Sequence, residues 1–441
     1  MNGDADRSIH DSLITVHSPH RWAAGLLLIS AALLAFELLL MRLLALAYWG
    51  HFAGLVISIA MLGIACSGLL LFFKRDSVRA RPNDWFAISS GAFGLTAPLA
   101  FILSQKLPFT PFLLTWSAHE YGLLAGRSLL FFLPFFLAGV AIGTPFVATV
   151  LPMGRLYFWN MLGSGLPALP LLFAMNFTHP MGCLVGVAIL GGAAGVLVTR
   201  ALLLRVVFTL AALASAGAVC LTSFRYSEYK DLPKTLLLPE ARLLDERYGW
   251  DGVVQIVDSP HTRYLPGLSL NFAGGLPASQ LVFTDAAAMT LAFRADEALT
   301  NPDFVRMTPE ALSFALVRSP TVLHLFGGTA ESLRGRVLGA REINILDDNA
   351  TRSATVREIS GNENIVLGDA RQHLESRADT LDVLGVSLLG THGTATAGAA
   401  SLDASFLLTR EGCARLFQRL SPGGHAIFST WVENPARSGV R

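Results

Sequence analysis

The chain is 441 residues long, and 52% of it is hydrophobic against 15% charged. That is too apolar for an ordinary soluble enzyme, and a net charge of +1 leaves no basic excess for a nucleic-acid surface. The four cysteines, Cys66, Cys183, Cys220 and Cys413, have no paired spacing. This argues against a disulfide framework or a cysteine-based metal centre and for packing as small apolar residues.

Residues 1–21 read as a polar tail with His10, His17 and His20, lacking the apolar core of a cleavable signal peptide. Over 22–224 apolar runs follow one another with short breaks. A bilayer core takes about 20 apolar residues per helix. The runs at 22–47, 52–73, 85–104, 128–150, 158–178, 181–199 and 202–222 predict an α-helical transmembrane bundle of about seven spans. Recurrent glycines such as Gly139, Gly143, Gly163, Gly191 and Gly192 let helix backbones approach closely. Pro134, Pro145, Pro167 and Pro170 predict kinks.

Glu37 and Arg42 fall inside the first run, where each charge costs about 2.5–3.5 kcal/mol at mid-membrane. Their spacing does not stack them as an i,i+4 pair would. Each is therefore expected to meet a partner on another helix, or Arg42 to reach an interface; a functional polar site is the alternative. If the N-terminus is cytoplasmic, that side collects Arg7, Arg21, Lys74, Arg75, Arg79, Arg81, Arg155, Arg200 and Arg205, against Lys106 and Arg127 opposite. An odd number of spans puts the rest of the chain outside the cytoplasm; an even number puts it inside.

After Arg225 the charge density rises. Residues 225–308 read as a linker with a short helix over 239–247, then strand-like pieces at 253–257, 268–272 and 280–283 of a small β subdomain. Thr308 as N-cap and Pro309 at the first helical position open a helix over 309–317. Within 309–441, strands are expected at 321–325, 342–346, 364–367, 381–387 and 425–430, with helices from 332 and over 403–420. Such alternation implies a mostly parallel, doubly wound α/β sheet, which binds ligands at the carboxyl ends of its strands.

Gly327, Asp347, Asp369 and Ser387 all fall at those ends, and the set suits a nucleoside. The Gly327-Gly328 turn lets a ligand approach the backbone, Asp347 can grip ribose hydroxyls, and Asp369 can accept from an adenine amine. Asp347 and Asp348 also read as strand-end acids capping a helix. Order and spacing together carry the nucleoside reading.

The segments VLHLFGGTAESL, INILDDNA, IVLGDARQHL, LDVLGVSLL and LSPGGHAIFSTW resemble the spermidine synthase family, whose fold is the Rossmann-like, class I methyltransferase type. FELLLMRLL from Phe36 and GRLY from Gly154 are similar to segments of its multispan membrane relatives, so the resemblance covers most of the chain. It implies an integral protein of a bacterial inner (cytoplasmic) membrane. It also implies decarboxylated S-adenosylmethionine, or S-adenosylmethionine, facing Gly327, Gly328 and Asp347, with Asp369 at the adenine.

Three departures set this chain apart from the family pattern. Phe326, Ala330 and Glu331 stand where the family's turn has glycines, so side chains crowd the backbone approach. Ser387 stands where the family places its catalytic aspartate. Aminopropyl transfer needs a group that takes the amine's proton, and a serine hydroxyl does not at neutral pH; His392, in the next loop, is the remaining candidate base. The sequence also stops at Arg441, before the helix and hairpin that continue such sheets, so another subunit or a second copy is expected to cover the edge. The departures favour a non-catalytic binding or assembly subunit of a membrane complex. A membrane-tethered aminopropyl- or methyltransferase and a transporter are the alternatives.

Overall fold

The computed structural model describes residues 19–48, 52–110, 113–114, 116–294, 302–361, 364–377, 379–387 and 407–430. By internal contacts the chain divides into two units, Met1–Arg225 and Tyr226–Arg441.

The first unit is helical: α1 (Pro19–Ala47), α2 (Phe52–Phe73), the short α3 (Arg75–Ala80), α4 (Pro82–Lys106), α5 (Ala118–Val147), α6 (Met153–Gly165), α7 (Ala168–Ala174), α8 (Leu184–Val198) and α9 (Leu202–Cys220). With α6 and α7 taken together, the described residues hold 7 helices long and apolar enough to cross a membrane. α1 is the hub. Leu26, Ile29, Phe36, Leu39 and Leu43 are fully buried at helical spacing. Phe36 packs edge-on against Phe93 of α4 and tilted against Phe135 of α5, with ring centroids 6.0 and 5.2 Å apart. Ser30 of α1 donates to Asn160 of α6 at 2.8 Å. Pro134 and Pro145 lie inside α5, and Pro167 marks the break between α6 and α7.

α5 starts at Ala118, earlier than the hydropathy places it. Glu120 and Arg127 look like loop charges, yet both are buried. The Glu120 carboxylate accepts from the Thr110 N–H at 2.9 Å. Arg127 donates to the Leu107 carbonyl at 2.5 Å and lies over the Tyr48 and Phe109 rings. Fixed partners of this kind let charges enter an apolar helix.

The second unit holds two sheets. The first is an antiparallel meander of β1 (Arg242–Gly249), β2 (Gly252–Asp258), β3 (Ser279–Thr284) and β4 (Ala288–Phe293). The second has five parallel strands: β5 (Thr321–Leu325), β6 (Glu342–Asp347), β7 (Ile365–Leu367), β8 (Leu381–Ser387) and β9 (Leu420–Ser429), in the order β7-β6-β5-β8-β9. Helices α10 (Asp231–Thr235), α11 (Asp303–Arg306), α12 (Ala311–Leu316), α13 (Thr329–Leu338), α14 (Ala350–Ser360), α15 (Ala370–Ser376) and α16 (Arg410–Gln418) connect them. Leu281, Phe283, Leu291 and Phe293 of the meander bury with Leu333 of α13. On the other face Val254 and Val282 meet Val356 of α14 and Ile345 of β6.

The helix expected over 239–247 is corrected to a strand. Leu, Arg and Glu make this segment helix-favouring in isolation, but it pairs with β2, whose Val253, Val254, Ile256 and Val257 are strong strand formers. Arg247 fixes β1 further through a two-pronged ion pair with Glu358 of α14, at 2.6 and 2.9 Å. The strand expected at 268–272 is a run of turns, and β4 is an additional strand. Thr308 does not cap a helix: its hydroxyl donates to the Val305 carbonyl at 3.0 Å, and Glu310 holds the cap position of α12.

Candidate functional site

In the parallel sheet the order reverses between β5 and β8, so the loops leaving these strands diverge and open a crevice at their carboxyl ends. The meander closes one side, leaving a cleft of about 270 Å³. The parallel sheet contributes Phe326, Gly328, Glu331, Asp348, Arg352 and Ser387 to its wall. The meander and its loops contribute Asp251, Tyr264, Asp285 and Met289.

The turn after β5 is tight. Phe326 adopts φ +59°, a left-handed backbone uncommon for a bulky side chain. Its N–H donates to the Leu346 carbonyl at 2.8 Å and its ring packs against the core beneath, which holds the conformation. Both glycines that follow are required by packing within the chain. A Cβ on Gly327 would stand 2.8 Å from His324 Nδ1, and one on Gly328 would stand 2.7 Å from Thr290 and 3.0 Å from the Leu291 carbonyl. Thr329 ties α13 to β4, accepting from the Phe293 N–H at 2.8 Å and donating to the Leu291 carbonyl at 3.0 Å. The Gly328 N–H points to the Glu331 carboxylate at 2.7 Å, so the chain supplies its own anion at this turn.

Asp347 ends β6 and is buried, outside the residues that line the cleft. Its carboxylate accepts two hydrogen bonds from the Arg352 guanidinium, one of them at 3.0 Å, and another from Ser353 Oγ at 3.0 Å. Burial alone would depress the Arg352 pKa; Asp347, with Asp348 and Asp251 nearby, reverses this and holds the guanidinium above its usual range. Asp348, one residue on, takes the cleft position and pairs with Arg352 at 3.2 Å.

Asp369 is exposed and caps α15, accepting from the Gln372 N–H at 2.7 Å; it does not line the cleft. Ser387 does. His392 lies outside the described residues. Glu37 and Arg42 are both half-buried on α1, in the first unit.

Sequence reasoning missed Asp251, Tyr264 and Asp285. Asp251 sits in the β1–β2 turn and clamps the start of α14, accepting from the Ala350 N–H at 2.5 Å and Thr351 Oγ1 at 2.7 Å. The signal was present, because Asp251-Gly252 between two alternating runs is a hairpin mark. Asp285, at φ +53°, accepts from the Val253 N–H at 2.9 Å. The Tyr264 hydroxyl is pushed up to about 12 by burial and then by the Asp231 and Glu331 carboxylates. It is therefore protonated at neutral pH.

No family model matches the chain, and no curated protein matches it. The site's chemistry is therefore read from its own groups. Four carboxylates, one guanidinium, a phenol and a serine hydroxyl surround the cleft, and the carboxylates each already accept from the chain's own donors. Among the described residues no cluster of His, Cys, Asp and Glu has metal-binding geometry.

Beneath the turn, His324 on β5 lies directly opposite Gly385 of β8, where any Cβ would overlap its ring. Burial holds this imidazole below its ordinary value of 6.5, against the pull of Glu331. A histidine kept neutral when folded, but free to protonate when unfolded, stabilises fully above the unfolded pKa and loses that contribution as pH falls. As pH falls through the unfolded value of about 6.5 the second unit should therefore lose stability, by at most about 1.4 kcal/mol per pH unit. His324→Gln should flatten this part of the profile in urea titrations. An identical slope in the variant would assign the acid loss to other groups.

Proposed function

We propose that the chain is an integral membrane protein of a bacterial inner membrane, with a second unit that serves as a non-catalytic binding and assembly module. That unit is read as a spermidine synthase-like domain on a doubly wound, Rossmann-like sheet of the methyltransferase type. One observation carries the non-catalytic reading: the cleft residue at the end of β8 is the Ser387 hydroxyl, which does not take an amine's proton at neutral pH. The two glycines of the turn support the same reading, because they accommodate Thr290 and His324. For assembly, the outer edge of β9 pairs with no strand among the described residues, and another subunit or a second copy of this chain would cover it.

Seven crossings with the Lys- and Arg-rich loops inside support a second unit outside the cytoplasm, away from cytosolic nucleosides. Reporter fusions after Arg441 test this: activity is expected from the reporter that works only outside. The purified full chain is further expected to form no aminopropyl product from decarboxylated S-adenosylmethionine and putrescine. A cytoplasmic reporter signal, or a product lost in Ser387→Ala, would overturn the proposal in favour of a membrane-tethered S-adenosyl-nucleoside transferase. The position of the cleft at the switch point of the sheet is what favours that second reading.

A further inference from the structure

A groove of about 550 Å³ opens in the first unit where the end of α2, α3, the last turns of α5 and the start of α6 meet. Its walls are apolar, from Leu71, Phe72, Phe146 and Met153, and two guanidiniums, Arg75 and Arg79, stand at its end. Gly68 also lines it, and a Cβ there would have nothing within 4 Å.

The two cations are held but not neutralised. Arg79 Nε donates to the Val147 carbonyl at 3.2 Å, which fixes the side chain at the end of α5. Arg75 meets the neighbouring Asp76 at 3.7 Å with both side chains largely exposed, a pair too solvated to cancel its charge. Lys74, Arg81 and Arg155 add positive charge to the same end of the helices. An apolar slot that closes on guanidiniums matches an amphiphile with an acyl tail and an anionic head, and the planar fork of arginine suits a phosphate. Basic clusters beside spanning helices attract anionic lipid for the same reason.

We propose that this groove binds an anionic glycerophospholipid of the bilayer, its phosphodiester on Arg75 and Arg79 and one acyl chain along Leu71, Phe72 and Phe146. The inference rests on the reading of the first unit as membrane-spanning. A free phosphate would leave the slot empty, and a zwitterionic lipid would bring its own cation to a cationic site.

The test uses the full chain extracted in mild detergent with phosphatidylglycerol and phosphatidylcholine, and counts retained lipid by native mass spectrometry. Phosphatidylglycerol should be retained preferentially, and Arg75→Gln/Arg79→Gln should reduce that preference about tenfold. Gly68→Leu keeps both charges and puts its side chain into open space, so it should fold and yet lose retained lipid. Equal retention of both lipids by the native chain, or no change in either variant, overturns the proposal. Displacement of the lipid by inorganic phosphate overturns it in favour of a simple anion site. A chain that stays in the aqueous phase without detergent would sink the membrane reading itself; a membrane-embedded chain without lipid preference would sink the lipid site alone.

Discussion

Replacing Arg352 by Met should lower the stability of the second unit by about 3–5 kcal/mol, the usual cost of leaving one member of a buried ion pair without its partner. The side chains of Arg352 and Asp347 are only 13% and 4% exposed, so water cannot replace the lost guanidinium. Asp347 would keep Ser353 and the 3.3 Å contact from the Asn349 N–H, neutral donors that do not offset a buried charge. Arg352→Lys should fall between, since it keeps the charge and loses the fork. Arg352→Met combined with Asp347→Asn should recover most of the loss, because neither charge remains. Urea midpoints of the full chain, read by protease protection of the second unit, separate these outcomes. A single variant within about 1 kcal/mol of the native chain would mean that this pair does not hold α14 to β6.

The same pair shows where sequence reading stops. The alternation of strands and helices after 320 is legible because β5 and β8 are short apolar runs buried on both faces, β5 lying between Pro320 and the Gly327-Gly328 turn. Which of two adjacent acids faces the cleft is not legible in that way. It depends on where β6 ends, and one residue of register exchanges the buried Asp347 for the exposed Asp348. Arg352 is a usable signal, since it stands at i,i+4 from Asp348 and marks that acid as a helix-start partner.

In the turn after β5, Gly327 and Gly328 read from the sequence as positions that need close backbone approach. The neighbours that approach are Thr290 and His324, which no local pattern identifies. In the helical unit the long apolar helices are visible from apolar length, while the start of α5 is not. The groups that make Glu120 and Arg127 tolerable come from the preceding Leu107–Thr110 segment.

Gly94→Val should disrupt the helical unit more than any surface change in it. α4 and α8 touch there at backbone distance: a Cβ on Gly94 would stand 2.7 Å from the Gly192 nitrogen and 2.9 Å from the Ala188 carbonyl. From the other side, a Cβ on Gly191 would stand 2.8 Å from Gly94 Cα. Backbone cannot rotate away as a side chain can, so the helices must separate. Ser215 of α9 donates to the Gly94 carbonyl at 3.2 Å, so the displacement would also break a contact to a third helix. Overpacking a tight core costs about 1–3 kcal/mol for small additions, and a β-branched residue at backbone contact should exceed that. Gly186→Val on α8 is the matched control, since nothing lies within 4 Å of its Cβ position. Thermal aggregation in detergent should separate the two: a marked drop for Gly94→Val beside little change for Gly186→Val supports close α4–α8 contact. Equal behaviour would mean that these helices do not meet through their glycines.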